Sequence, residues 1–113
     1  MPEEGFSEKR GSVRFLISIP LKYAKVGIQQ FTSAVTKDIS AEGLGLITAQ
    51  ELPSHAEISV CLAMPDNGEE IPLDAEVLWS KKDESGNYRS GLKIKQRRLK
   101  PIPLVLRTLN SKF

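Results

Sequence analysis

Arg10 and Arg14 stand four residues apart in the run Arg10-Gly11-Ser12-Val13-Arg14. Each guanidinium is a planar, permanently charged fork of N–H donors, suited to a phosphate or to a pair of coplanar acceptors. Further along comes Asp38-Ile39-Ser40-Ala41-Glu42-Gly43, which offers a carboxylate, a hydroxyl and a glycine in one short stretch. Taken singly, neither pattern makes a site. Two arginines at this spacing are usually a solvated pair of charges. Asp-x-Ser-x-x-Gly is common turn composition, because Asp and Ser bond their own backbone. Basic residues gather in two places, Lys9 with Arg10 and Arg14, and Lys93, Lys95, Arg97, Arg98 and Lys100. A fold that brought the two together would present one anion-binding surface; kept apart, the second group is a set of solvated charges at a strand end.

The elements that must position these residues read mostly as strands. Residues 1–11 are polar, with Pro2 and Gly5, and are expected to form a flexible segment carrying the first arginine. From Ser12 the chain alternates through Val13, Phe15, Ile17 and Ile19, a period of two that predicts a half-buried strand, broken at Pro20 and continued irregularly over 21–27. Further strands are expected over 28–39, 44–48, 57–63, 71–80 and 88–94. Ser40 to Gly43, Pro53 to His55, Pro65 to Gly68 and Asp83 to Asn87 supply the turns between them. Trp79 falls in phase with Ala75 and Val77 and is expected in the core, and Gly91 reads as a packing glycine. Pro101 and Pro103 open a short helix over about 101–111 whose apolar positions 102, 105, 106 and 109 lie together, against the domain or a partner. Six short strands joined by turns argue for an antiparallel barrel or sandwich, all-β, with 12–113 as its one domain.

Composition narrows the function classes. A chain of 113 residues with 40% hydrophobic and 27% charged residues is an ordinary single globular domain. No apolar run approaches a membrane span, and the N-terminus lacks an export signal, so a cytoplasmic protein without membrane insertion is expected. Cys61 has no partner for an internal disulfide and reads as a small buried hydrophobe; His55 lies in a loop. No metal-ligand spacing, nucleophile elbow or phosphate loop is present, and the sequence argues against an enzyme, a metal site or a resident cofactor. A net charge of +2 and only 6% aromatic residues argue against a nucleic-acid binder that stacks bases along its strands.

Together, the two motifs, in this order and around a barrel, resemble the PilZ domain family. Ala75-Glu76-Val77-Leu78-Trp79, a polar hairpin and Ser90-Gly91-Leu92-Lys93-Ile94 look like that family's last strand pair, and the resemblance covers roughly residues 8–110 of a stand-alone domain. It implies a six-stranded split barrel that binds cyclic di-GMP, as one molecule or an intercalated pair. The matched residues suit that dianionic ligand. Arg10 and Arg14 would pair with phosphate or with guanine O6 and N7, or stack on a purine. Asp38 would accept from guanine N1–H and the N2 amine, Ser40 would offer a hydroxyl, and Gly43 would take positive φ so that the ligand could approach the backbone. Lys9, directly before Arg10, is compatible with extra phosphate contact and two ligands. On this reading ligand orders the N-terminal segment and an unidentified effector protein reads the change in trans. A PilZ-like scaffold that works by protein contact alone, and a single-stranded nucleic-acid barrel, are the alternatives.

Overall fold

The computed structural model describes residues 13–95 and 101–110. Six strands, β1 (Pro20–Lys25), β2 (Thr32–Ile39), β3 (Gly43–Thr48), β4 (Glu57–Ala63), β5 (Glu70–Lys82) and β6 (Tyr88–Ile94), are followed by the helix α1 (Pro101–Asn110). All strand pairs are antiparallel and the sheet closes on itself in the order β1-β2-β3-β6-β5-β4. The expected barrel with its terminal helix is therefore present.

Alternation explains which face each strand buries. Leu21, Leu44, Leu46, Ile58, Val60, Leu62, Leu73, Ala75, Val77, Leu92 and Ile94 point into one core, joined by Ile19, Ile39 and Met64. Fully burying a Val, Leu or Ile contributes about 1.5–3 kcal/mol, so a one-residue slip of any strand would expose its whole set.

The first strand is not where the alternation placed it. Residues 13–19 bury Ile19 fully and Phe15 and Ile17 partly, as the period of two requires, but leave Val13 and Leu16 exposed. They join the sheet through one bridge, Phe15 to Ile39, and through Thr36. The barrel strand begins at Pro20, where a missing N–H is tolerated because it is the first residue of the strand. Thr36 is completely buried; its Oγ1 donates to Ile17 O at 2.5 Å and accepts from Ile19 N at 2.8 Å. That side chain fastens the segment carrying Arg14 to β2.

Two β-bulges break the alternation. One extra residue in β2 shifts its register against β3 between Thr36 and Asp38. One extra residue in β5 shifts its register against β6 between Val77 and Trp79. A bulge sets two successive side chains on one face. Thr36 and Ile39 both point inward, so Lys37 and Asp38 both turn outward; Val77 points inward, and Leu78 and Trp79 are both about half exposed. Trp79 is therefore not a core residue, because the bulge reverses its phase relative to Ala75 and Val77.

Helix α1 docks through Leu104 and Thr108, one turn apart, with Val105 beside them. Of the face expected to pack, Val105 does so, Leu106 and Leu109 are exposed, and the Ile102 side chain lies outside the described residues. Thr108 Oγ1 donates to Leu104 O at 2.8 Å, which lets a hydroxyl sit in the interface. Arg107 forks onto Asp66 at 2.8 and 2.9 Å and reaches Asn67 and Glu69, tying the helix to the β4–β5 loop. The Arg107 hydrogen bond holds the Asp66 carboxyl below the usual carboxylate range.

Candidate functional site

Both bulges open onto the same outer face, where a groove of about 550 Å³ lies across β2, β3, β6 and β5. Its floor follows from the register. Asp38 pairs with Gly45, Gly45 with Gly91, and Gly91 with Trp79. One row across four strands thus reads large, none, none, large. Strands lie about 4.8 Å apart, so the row spans roughly 14 Å along the sheet, with Asp38 and Trp79 rooted at its ends and their side chains lying over the glycines between them. A flat heterocycle can stack on the exposed face of the indole that covers Gly91 and hydrogen-bond the carboxylate that lies over Gly45.

The walls lean over the glycines. A Cβ on Gly45 would lie 2.8 Å from Asp38 Oδ1 and 3.0 Å from its Cγ. A Cβ on Gly91 would fall inside the Trp79 indole, 2.6 Å from Cε2. Gly91 has the packing role expected of it, under an exposed indole.

Arg14 is held beside Asp38. Backbone bonds from Phe15 N to Ile39 O at 2.8 Å and from Ile39 N to Phe15 O at 2.9 Å clip the segment to the end of β2. Arg14 Nη2 then lies 3.0 Å from Asp38 Oδ1, with half of the arginine side chain exposed. Ion pairs this open are worth at most about 1 kcal/mol, so a ligand offering better partners to both groups displaces the contact at little cost.

Ser40 and Gly43 shape the turn at the head of the groove. Ser40 is almost fully buried; its Oγ accepts from Gly43 N at 3.1 Å and donates to Gly43 O at 3.3 Å, while Ser40 N donates to Gly43 O at 3.0 Å. The hydroxyl expected to face a ligand is thus engaged in closing the turn. Positive φ at Gly43 is also not what the structure has: among the described residues Gly27, Gly68, Gly86 and His55 adopt it. Gly43 is needed for a different reason, since a Cβ there would lie 2.5 Å from Leu92 O on the neighbouring strand.

The groove is positively biased, lined by Arg14, Lys37, Arg89 and Lys93 against Asp38 and Glu42. Of the C-terminal basic group, Lys93 joins the groove, whereas Lys95 bonds Glu57 at 2.7 Å, which raises the pKa of Lys95. Arg97, Arg98 and Lys100 lie outside the described residues, as do Lys9, Arg10 and the expected flexible segment 1–11. Sequence reasoning missed Gly45, Lys37, Arg89 and the outward Trp79. A glycine in the middle of an otherwise apolar strand, Leu44-Gly45-Leu46, was the available signal for the first. Among the described residues no cluster of His, Cys, Asp and Glu is arranged to hold a metal, and no helix is long and apolar enough to cross a membrane.

The architecture has known counterparts. Bacillus subtilis MotI, described as an inhibitor of motility, matches with a TM-score of 0.70 at 17% identity, over 91% of this chain and 52% of that one. MrkH from K. pneumonia, solved in complex with c-di-GMP, matches with a TM-score of 0.60 at 19% identity, over 93% of this chain and 52% of that one. The PilZ domain of CeSA from a cellulose-synthesizing bacterium matches with a TM-score of 0.59 at 18% identity, over 89% of this chain and 99% of that domain. The chain spans about half the length of MotI and of MrkH. No curated protein matches it in sequence. The family model described as the PilZ domain matches residues 8–101, and the chain, with its closed six-stranded barrel, belongs to that family.

Proposed function

We propose that the protein is a receptor for cyclic di-GMP and that the outer groove holds the ligand. The observation that carries this reading is the meeting of Arg14 and Asp38 at one end of a groove whose other end carries the half-exposed Trp79 indole, laid over Gly91. Asp38 accepts from guanine N1–H and N2–H, an edge that adenine does not present. Arg14 exchanges Asp38 for phosphate or for the guanine Hoogsteen edge, and charge-assisted bidentate pairs of that kind are about twice as strong as neutral hydrogen bonds. Trp79 offers an aromatic face to a base; such stacking is worth about 1–3 kcal/mol. Lys37, Arg89 and Lys93 raise the local potential for a dianion. Ser40 and Gly43 act through the shape of the turn. Family membership and the c-di-GMP complex of MrkH support the same ligand.

Arg10 and Lys9 belong to this site on the motif alone. Arg10 supplies the second guanidinium, and Lys9 favours a stacked pair of ligands over one. Binding orders the N-terminal segment, and an effector protein in the cytoplasm reads the altered surface. Titration calorimetry with cyclic di-GMP tests the core of the proposal: binding is expected for the wild type, with stoichiometry distinguishing one ligand from two. Arg10→Ala, Arg14→Ala and Asp38→Ala should each weaken it by about ten-fold or more, since a hydrogen bond to a charged group is worth about 1.5–3 kcal/mol. Asp38→Ala should also erase the preference over cyclic di-AMP. Absence of binding by the wild type refutes the receptor reading and leaves a scaffold acting by protein contact.

A further inference from the structure

Gly45 occupies the middle of β3, buried, between two strands. A glycine there weakens a strand, having no side chain to pack and more backbone entropy to lose than any other residue. Its backbone does not require one, because Gly45 is not among the residues with positive φ. What it makes room for is the carboxylate of Asp38. The β2 bulge turns Asp38 outward directly opposite Gly45, and the carboxylate lies in the volume that a Cβ would fill, with Oδ1, Cγ and Oδ2 at 2.8, 3.0 and 3.0 Å from that point. The same carboxylate accepts from Arg14 Nη2 at 3.0 Å. With any side chain at 45 the carboxylate must swing away, and both its own aim into the groove and its hold on Arg14 change together.

We infer that Gly45 is a positioning residue of the groove: its missing side chain sets the posture of Asp38, and through Asp38 the guanine selectivity and the resting place of Arg14. The ligand part of this inference rests on the cyclic di-GMP reading; the geometric part does not. Gly45 acts only through Asp38, so its effect must vanish when Asp38 is shortened.

The test is a double-mutant cycle of Gly45→Ala and Asp38→Ala in the full chain. In calorimetry with cyclic di-GMP, G45A alone should lower affinity by about ten-fold, the free-energy equivalent of one order of magnitude, and narrow the preference over cyclic di-AMP. Added to D38A, it should change affinity by less than about two-fold, within the additivity error of such cycles. Equal losses in both backgrounds, or undiminished affinity of G45A, would overturn the inference. Two ligand-free readouts separate it from the receptor reading. The NMR resonances of the Arg14 guanidinium should shift in G45A towards their positions in D38A, and G45A should shift nothing further in D38A. If G45A folds poorly, D38A/G45A should regain stability, because the clash is gone; a double variant as unstable as G45A refutes the steric account. Should wild type bind no cyclic di-GMP, the receptor reading falls and these two measurements still decide the role of Gly45.

Discussion

Replacing Thr36 by Val removes the side-chain fastening between β2 and the segment that carries Arg14, at nearly constant shape, and leaves the backbone bonds from Thr36 N to Ile19 O and between Phe15 and Ile39. Thr36 is wholly buried, and its Oγ1 both donates to Ile17 O and accepts from Ile19 N. Ile19 is itself fully buried, so its N–H finds no water in exchange, whereas Ile17 is partly exposed. An orphaned buried donor costs about 1–3 kcal/mol and a lost bond whose partner can be rehydrated about 1 kcal/mol, together about 2–4 kcal/mol. The added apolar character of Val returns about 0.8 kcal/mol, the worth of one CH2-sized group. A net loss of about 2 kcal/mol is expected, a fall in Tm of roughly 8 °C for a domain of this size. Urea denaturation measures the first quantity and a thermal scan the second. Native-state hydrogen exchange should locate the loss at the Ile19 and Phe15 amides, the latter bonded to Ile39 O. Affinity for cyclic di-GMP should fall by less than in Arg14→Ala, since the Phe15–Ile39 backbone pair still holds Arg14 beside Asp38. Thr36→Ser, which keeps the hydroxyl, should retain protection at Ile19. A T36V destabilisation below about 0.5 kcal/mol, the range of ordinary surface substitutions, would refute the reasoning.

Three further outcomes follow from other parts of the molecule. Gly91→Ala should push the Trp79 indole off the groove floor, seen as a shift in tryptophan fluorescence and as weaker ligand binding; an unchanged spectrum would mean that the indole does not rest on Gly91. The docking of α1 should depend on acid. The carboxyl of Asp66 is depressed in the folded protein, chiefly by its bond to Arg107, so its contribution is present above the ordinary carboxylate range of about pH 4 and is lost as pH falls below that range. Exchange of α1 amides should accelerate there in the wild type, and Arg107→Ala should show fast exchange at neutral pH with no acid step. Cys61 has its thiol pKa raised by burial and then by Glu70, which leaves little thiolate at neutral pH. It should react with a disulfide reagent more slowly than an unstructured cysteine, and unfolding should remove the difference.

What local pattern determined here was the number of strands, the turns between them and the direction in which most side chains face. Hydrophobic alternation is itself the record of burial, so Leu44, Leu46, Val60, Leu62, Val77 and Leu92 announce their faces without reference to any partner strand. Arg14 and Asp38 were legible as chemistry for a related reason: few side chains can do what a guanidinium and a carboxylate do. What the alternation over 13–19 could not reveal is that burial was supplied by Thr36 and a single bridge, so the barrel strand begins at Pro20 instead. The two bulges were equally invisible, because an extra residue is defined only against a partner strand. They turn Lys37 with Asp38, and Leu78 with Trp79, onto the outer face. Register across four strands then aligns Asp38, Gly45, Gly91 and Trp79. The groove is made by that alignment, a relation among residues far apart in the chain that no local pattern encodes.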